Sequence, residues 1–206
     1  MGKEWKMNIS ENKTEFINVM VNFKKEIEDV LKRKVYSNDI DELRLGYEGK
    51  FSKERFKEYL VKKAALHIVF KYIFIRMMSE GERLVNPKLN EEGITNWKEM
   101  TKNYREDYFM LFKMASEDLR RIEKTRDFFE PSIYDKYLEK LKFNIFNRNN
   151  DNFIEKIKVY DFRTLDPNTA VSLFDSLYPS EDREKFQGFL DESHITTYLM
   201  TSLGLM

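Results

Sequence analysis

The amino-acid sequence predicts an all-α fold: an irregular multi-helix bundle around a central buried helix at about 52–80. Three observations lead there. Gly (7) and Pro (4) are scarce in 206 residues while Lys, Glu, Leu and Phe abound, a composition of helices rather than turns. Apolar residues recur every three or four positions along most of the chain, the period of an α-helix. Alternating apolar–polar runs bounded by turn residues, the mark of strands, are nearly absent. The length fits a single helical domain over 1–206, with a sub-boundary near the asparagine-rich stretch 144–152. A chain of this size buries roughly 70% of its unfolded surface and needs no covalent staple.

The first helix spans Thr14 to Arg33, with Phe16, Val19, Met20, Phe23, Ile27, Val30 and Leu31 on one face. It ends in Lys32-Arg33-Lys34, cations that favour a helix C-terminus. Tyr36 to Lys50 is polar, holds Gly46 and Gly49, and reads as a loop. Ser52 then caps the central helix, which runs to about Glu80 and stops at Gly81. From Ala65 onward that helix is apolar on most sides, which places it in the core. His67 falls on its inward face, where a core histidine satisfied by a neighbour is the expectation.

After a loop marked by Asn86-Pro87, Thr95 is expected to cap one long helix to about Arg126, its core stripe made of Met100, Tyr104, Tyr108, Leu111, Met114, Ala115, Leu119 and Ile122. Pro131 opens a shorter helix carrying Ile133, Tyr134, Tyr137, Leu138 and Leu141. Helix resumes over Phe153–Tyr160, with an extended step after it. Asp166-Pro167 is a clear start signal, Asp as N-cap and Pro at the first helical position. Ala170, Val171, Phe174, Leu177 and Tyr178 form the inner face, and Pro179 is the stop. Ser180 caps a further short helix closed by Gly188, and Ser193–Leu203 is helical again.

Composition narrows the chemistry. There is no cysteine, which removes disulfides and thiolate metal sites, and the two histidines, His67 and His194, are far apart. No cofactor and no metal are expected. Basic and acidic residues balance at 36 each, so no global field favours nucleic acid or membrane. The most apolar run, Ala64–Met78, is interrupted by Lys71 and Arg76 and is too short to span a bilayer. The N-terminus has no signal-peptide core, and the expected location is cytoplasmic. Gly-rich phosphate loops and a nucleophile elbow are missing, and Asn147–Phe153 lacks the Gly and Glu of a calcium loop. The candidate nucleic-acid-binding residues are Lys32, Arg33, Lys34, Arg120 and Arg121, with Lys24 and Lys25 beside them, as cations that track a phosphate backbone.

Two stretches carry a family resemblance. Tyr59–Val85, YLVKKAALHIVFKYIFIRMMSEGERLV, resembles the helix ahead of the catalytic domain in large N6-adenine DNA methyltransferases, those of restriction–modification fusions and of BREX phage-defence systems. Ala64, Ala65, Phe74, Arg76, Glu80 and Gly81 sit in matching places. Leu165–Leu203 is similar to the family's spacer. Leu173, Phe174, Leu177 and Tyr178 fit its first helix, Arg183, Lys185 and Gly188 its charged turn, and Ile195, Tyr198 and Leu199 its last helix. Where the family has a Tyr-Thr-Pro segment that helps cradle S-adenosylmethionine, this chain has Phe189-Leu190-Asp191-Glu192. The family's Gly-rich loop and Asn-Pro-Pro-Tyr motif would lie beyond Met206.

The resemblance implies a non-catalytic helical module of DNA restriction–modification or phage defence, with a DNA methyltransferase or other defence subunit, or the DNA backbone, as partner. Two alternatives stand beside it. One is a small helical nuclease-type toxin using His67 and His194. The other is a protein–protein adaptor unrelated to DNA, marked by an exposed apolar patch.

Overall fold

The central helix forms because its apolar residues outnumber one face. In the computed structural model, which describes residues 6–36, 40–41, 43, 51–104, 107–147 and 152–186, it is α2, Lys53–Arg76, preceded by α1, Lys13–Lys34. From Lys63 to Glu80 every side chain is buried. Ser52 caps α2 as its sequence predicts, its Oγ accepting from the Arg55 amide at 3.2 Å. The final turn, Met77–Gly81, widens to π geometry. The left-handed residue that reverses the chain is not Gly81 but Arg83, at φ 55°. There the Leu84 amide returns to the Met78 carbonyl at 3.0 Å.

Seven further helices follow among the described residues: α3 (Glu91–Met100), α4 (Tyr108–Arg120), α5 (Arg126–Phe129), α6 (Lys136–Leu141), α7 (Phe153–Ile157), α8 (Pro167–Leu177) and α9 (Ser180–Lys185). The all-α bundle is thus the observed architecture. α1 lies against α2, α6, α7 and α8, while α4 packs on α2 and α5. One hydrophobic cluster runs from Ile9 to Phe186. Among the described residues a single two-residue parallel pairing, β1 (Met7–Asn8) with β2 (Tyr160–Asp161), fastens the N-terminal segment beside a 3-10 turn at Phe162–Thr164.

Several sequence expectations are corrected. The long helix from Thr95 to Arg126 is two helices, α3 and α4, and the start of the first is Asn90, whose Oδ1 accepts from the Gly93 amide at 2.8 Å. α3 ends where the Thr101 hydroxyl folds back onto the Trp97 carbonyl at 2.5 Å. α4 restarts at Asp107, whose carboxylate accepts from the Phe109 amide at 3.0 Å. The break rotates the stripe. Phe109 and Phe112 are buried, whereas Met100 and Tyr104 are 72% and 76% exposed and Met114 faces outward. Ile133 and Val171 are also exposed, because Ile133 sits in the turn before α6 and the inner face of α8 is Ala170, Leu173 and Leu177. Pro131 precedes that turn rather than opening the helix. Ser180 is the first residue of α9 and Pro179 its N-cap. In the stretch read as a loop, Ile40, Asp41 and Leu43 are helical. Gly188, Phe189–Glu192, His194 and Ser193–Leu203 lie outside the described residues.

Candidate functional site

Of the polar residues that α2 and its π turn bury, His67, Lys71, Arg76 and Glu80 follow one another at spacings of four or five. Burying such groups is costly unless each finds a partner. The deepest is Arg76, which is fully buried. Its Nε pairs with the Glu80 carboxylate, and its two terminal nitrogens donate to the Tyr72 hydroxyl (3.2 Å) and to the carbonyls of Ile157 (3.3 Å) and Tyr160 (2.6 Å). The Phe162 ring lies 4.4 Å from the guanidinium carbon. The other Glu80 oxygen accepts from the Phe162 amide at 3.4 Å. One guanidinium therefore holds the α7–β2 segment against α2. Burial pushes the Tyr72 phenol up to about 12, although Arg76 works against it.

One and two turns earlier, α2 meets the connection before α6. The His67 Nε2 lies 3.1 Å from the Ser132 Oγ and 3.5 Å from the Asp135 Oδ1. The Lys71 Nζ donates to that same Oδ1 at 2.7 Å. Ser132 and Asp135 also hold the turn before α6: Ser132 Oγ accepts from the Tyr134 amide (3.2 Å) and Asp135 Oδ2 from the Ser132 amide (2.6 Å). Burial would raise the Asp135 carboxyl, but the hydrogen bond from His67 and the Lys71 ammonium prevail and hold it well below the usual carboxylate range.

Ser, His and Asp in one place invite comparison with a nucleophilic relay. A relay needs the hydroxyl on one imidazole nitrogen and the carboxylate on the other, so that the acid fixes the tautomer that takes the proton. Here both approach Nε2. The geometry is that of a joint between α2 and the α6 connection.

Beside this joint, α2, α4 and α6 enclose a cleft of about 370 Å³. Its buried lining includes Phe112, Phe129, Leu138 and Lys71. At the mouth, Lys113 pairs with Glu139 across α4 and α6 at 3.3 Å, and Arg120 makes a two-pronged contact with Glu117 at 2.7 and 2.8 Å. The Ser116 Oγ is buried there with no hydrogen-bond partner.

The basic residues singled out from sequence fall into two groups on different helix ends. Lys32, Arg33 and Lys34 close α1. Lys32 pairs with Asp29 at 3.0 Å, Arg33 is exposed, and Lys34 donates to the Lys140 carbonyl (2.7 Å) and Asn144 Oδ1 (2.6 Å). Arg120 and Arg121 close α4 and share Glu117. Lys24, Lys25 and Lys32 are brought together along a groove of about 350 Å³ between α1, α2 and α9. That groove also holds Lys24–Glu28 (2.8 Å), Lys62–Asp182 (2.6 Å) and Lys185–Glu58 (2.7 Å), so most of its cations are neutralised. Among the described residues no His, Asp and Glu set is arranged to hold a metal, and no helix is long and apolar enough to cross a membrane.

No protein-family model, no curated protein and no solved structure matches this chain. Sequence reasoning placed His67 inward but did not find Ser132, Asp135 or the cleft. The one available signal was Ser-x-x-Asp at 132–135, the pattern of a capping box.

Proposed function

We propose that this chain is a non-catalytic helical module that holds a partner, a protein subunit or the DNA backbone, in a restriction–modification or phage-defence system. The observation that carries the non-catalytic reading is the approach of Ser132 and Asp135 to one nitrogen of His67, which spends that histidine on joining helices. The same geometry weighs against the nuclease alternative at His67. His194, its other suspect, lies outside the described residues.

The link to DNA rests on the resemblance over Tyr59–Val85 and Leu165–Leu203. Structure refines which cations would serve it. Lys34 and Arg120 are engaged by α6 and by Glu117, so Lys25 and Arg33, exposed on α1, and Lys32, whose pair with Asp29 is more exposed and weaker, are the better backbone contacts. The test is fluorescence anisotropy of a labelled duplex against salt. Binding that weakens steeply with salt, and whose slope falls by about one for each cation removed in Lys25→Ala, Lys32→Ala and Arg33→Ala, supports backbone contact. A flat titration at low salt, alone and with an adenine methyltransferase present, removes the DNA-linked reading. The adaptor reading is favoured by Met110 and Met114, which are 40% and 42% exposed one turn apart on the outer face of α4.

A further inference from the structure

We infer that the cleft between α2, α4 and α6 is a binding site for a small uncharged molecule with a ring-sized apolar body and a carbonyl-type hydrogen-bond acceptor. This stands independently of the function proposed above.

Two side chains with spare donors line one cleft. The Lys71 side chain is 5% exposed, and its ammonium has three N–H groups. Among the described residues one of them is used, by Asp135. The Ser116 Oγ, from α4, is buried and without a partner. Buried polar groups in native proteins are satisfied with few exceptions, and the partnerless Ser116 hydroxyl, with Lys71 beside it, calls for an acceptor. Both residues line the same cleft, and its volume of about 370 Å³ falls in the range of small-ligand pockets.

The walls and the charges define the class. Phe112, Phe129, Pro131 and Leu138 make the cleft's apolar lining. Three cations and three carboxylates line the cleft, and each is already paired: Lys71 with Asp135, Arg120 with Glu117, Lys113 with Glu139. A charged ligand would add an uncompensated charge to a cleft whose cations and carboxylates already balance. A neutral acceptor takes the spare Lys71 and Ser116 donors and leaves all three pairs intact.

Benzamide is a suitable probe, with benzoate (charged) and fluorobenzene (no acceptor) as its comparisons, read by amide chemical shifts of the full chain. Saturable shifts at Ser116 and Phe112 are expected, with benzamide binding tighter than either comparison. Ser116→Ala, which removes only a partnerless hydroxyl, should fold normally and weaken benzamide about five- to tenfold, the effect of one hydrogen bond. The absence of saturable shifts at these residues overturns the inference. So does benzoate or fluorobenzene binding as tightly as benzamide, or an affinity unchanged in Ser116→Ala.

Discussion

Replacing Arg76 by Met tests the deepest joint of the fold. The substitution keeps a side chain of similar length and removes every polar contact. It leaves the Glu80 carboxylate, 4% exposed, with the Phe162 amide as its remaining hydrogen bond, and takes the donor from the Ile157 and Tyr160 carbonyls. Breaking one half of a buried pair costs about 3–5 kcal/mol, chiefly because the other charge is stranded. Against a total stability on the order of 5–15 kcal/mol, the variant should be folded but marginal. Urea unfolding followed by circular dichroism measures the loss. Adding Glu80→Met removes the stranded charge and should recover at least about 1 kcal/mol of it. The damage should also be local. The Met7 amide donates to the Val159 carbonyl (2.9 Å) and the Ile9 amide to Thr164 Oγ1 (2.8 Å), so both should lose hydrogen-exchange protection before α1 and α2 do. A loss below about 1 kcal/mol in Arg76→Met, or a double variant no more stable than the single, would refute the reasoning.

Other perturbations follow from the same geometry. A Cβ on Gly93 would lie 2.4 Å from the Lys88 carbonyl oxygen, so Gly93→Ala should cost about 1–3 kcal/mol in thermal or urea unfolding; an unchanged midpoint would show that the loop before α3 yields. Asp135→Asn should cost about 2 kcal/mol at neutral pH by weakening the Lys71 and His67 contacts. The folded Asp135 carboxyl titrates below its unfolded value of about 3.9, so its contribution is complete above that pH and fades as pH falls through the folded value. The gap between wild type and Asp135→Asn should therefore narrow in acid, and a gap that widens there would contradict the ionised assignment. Asp166→Ala removes the α8 cap and its 2.6 Å contact with Ser10, and should cost about 1 kcal/mol in urea unfolding; an unchanged midpoint would show that the cap contributes nothing.

Local signals in the sequence located the elements whose ends are set locally. Ser52 and the Asp166-Pro167 pair are where α2 and α8 begin, because a cap acts within three residues of itself. The fully buried course of α2 was legible because apolar residues surround it. The break between α3 and α4 was not, since the periodicity of Met100, Tyr104 and Tyr108 continues across it in register. The terminating contact, Thr101 to the Trp97 carbonyl, competes with that period and wins at a position the apolar pattern does not mark. The β1–β2 pairing and the Arg76 contacts to Ile157 and Tyr160 join residues roughly 80 or more positions apart, and nothing local encodes them. Lys71 and Arg76 inside an apolar run count in the sequence only as breaks in a membrane span, and their partners Asp135, Ile157 and Tyr160 lie far along the chain. The same distance hid the cleft, whose walls come from α2, α4, α5 and α6.

The central claim is that the described histidine and its neighbours join helices rather than perform chemistry. It is tested most directly by incubating the purified chain with end-labelled single-stranded RNA and duplex DNA, with and without magnesium. Full-length substrate at every time point, for wild type and His67→Asn alike, is the expected result. Cleavage by the wild type that disappears in a His67→Asn variant of unchanged stability would contradict it.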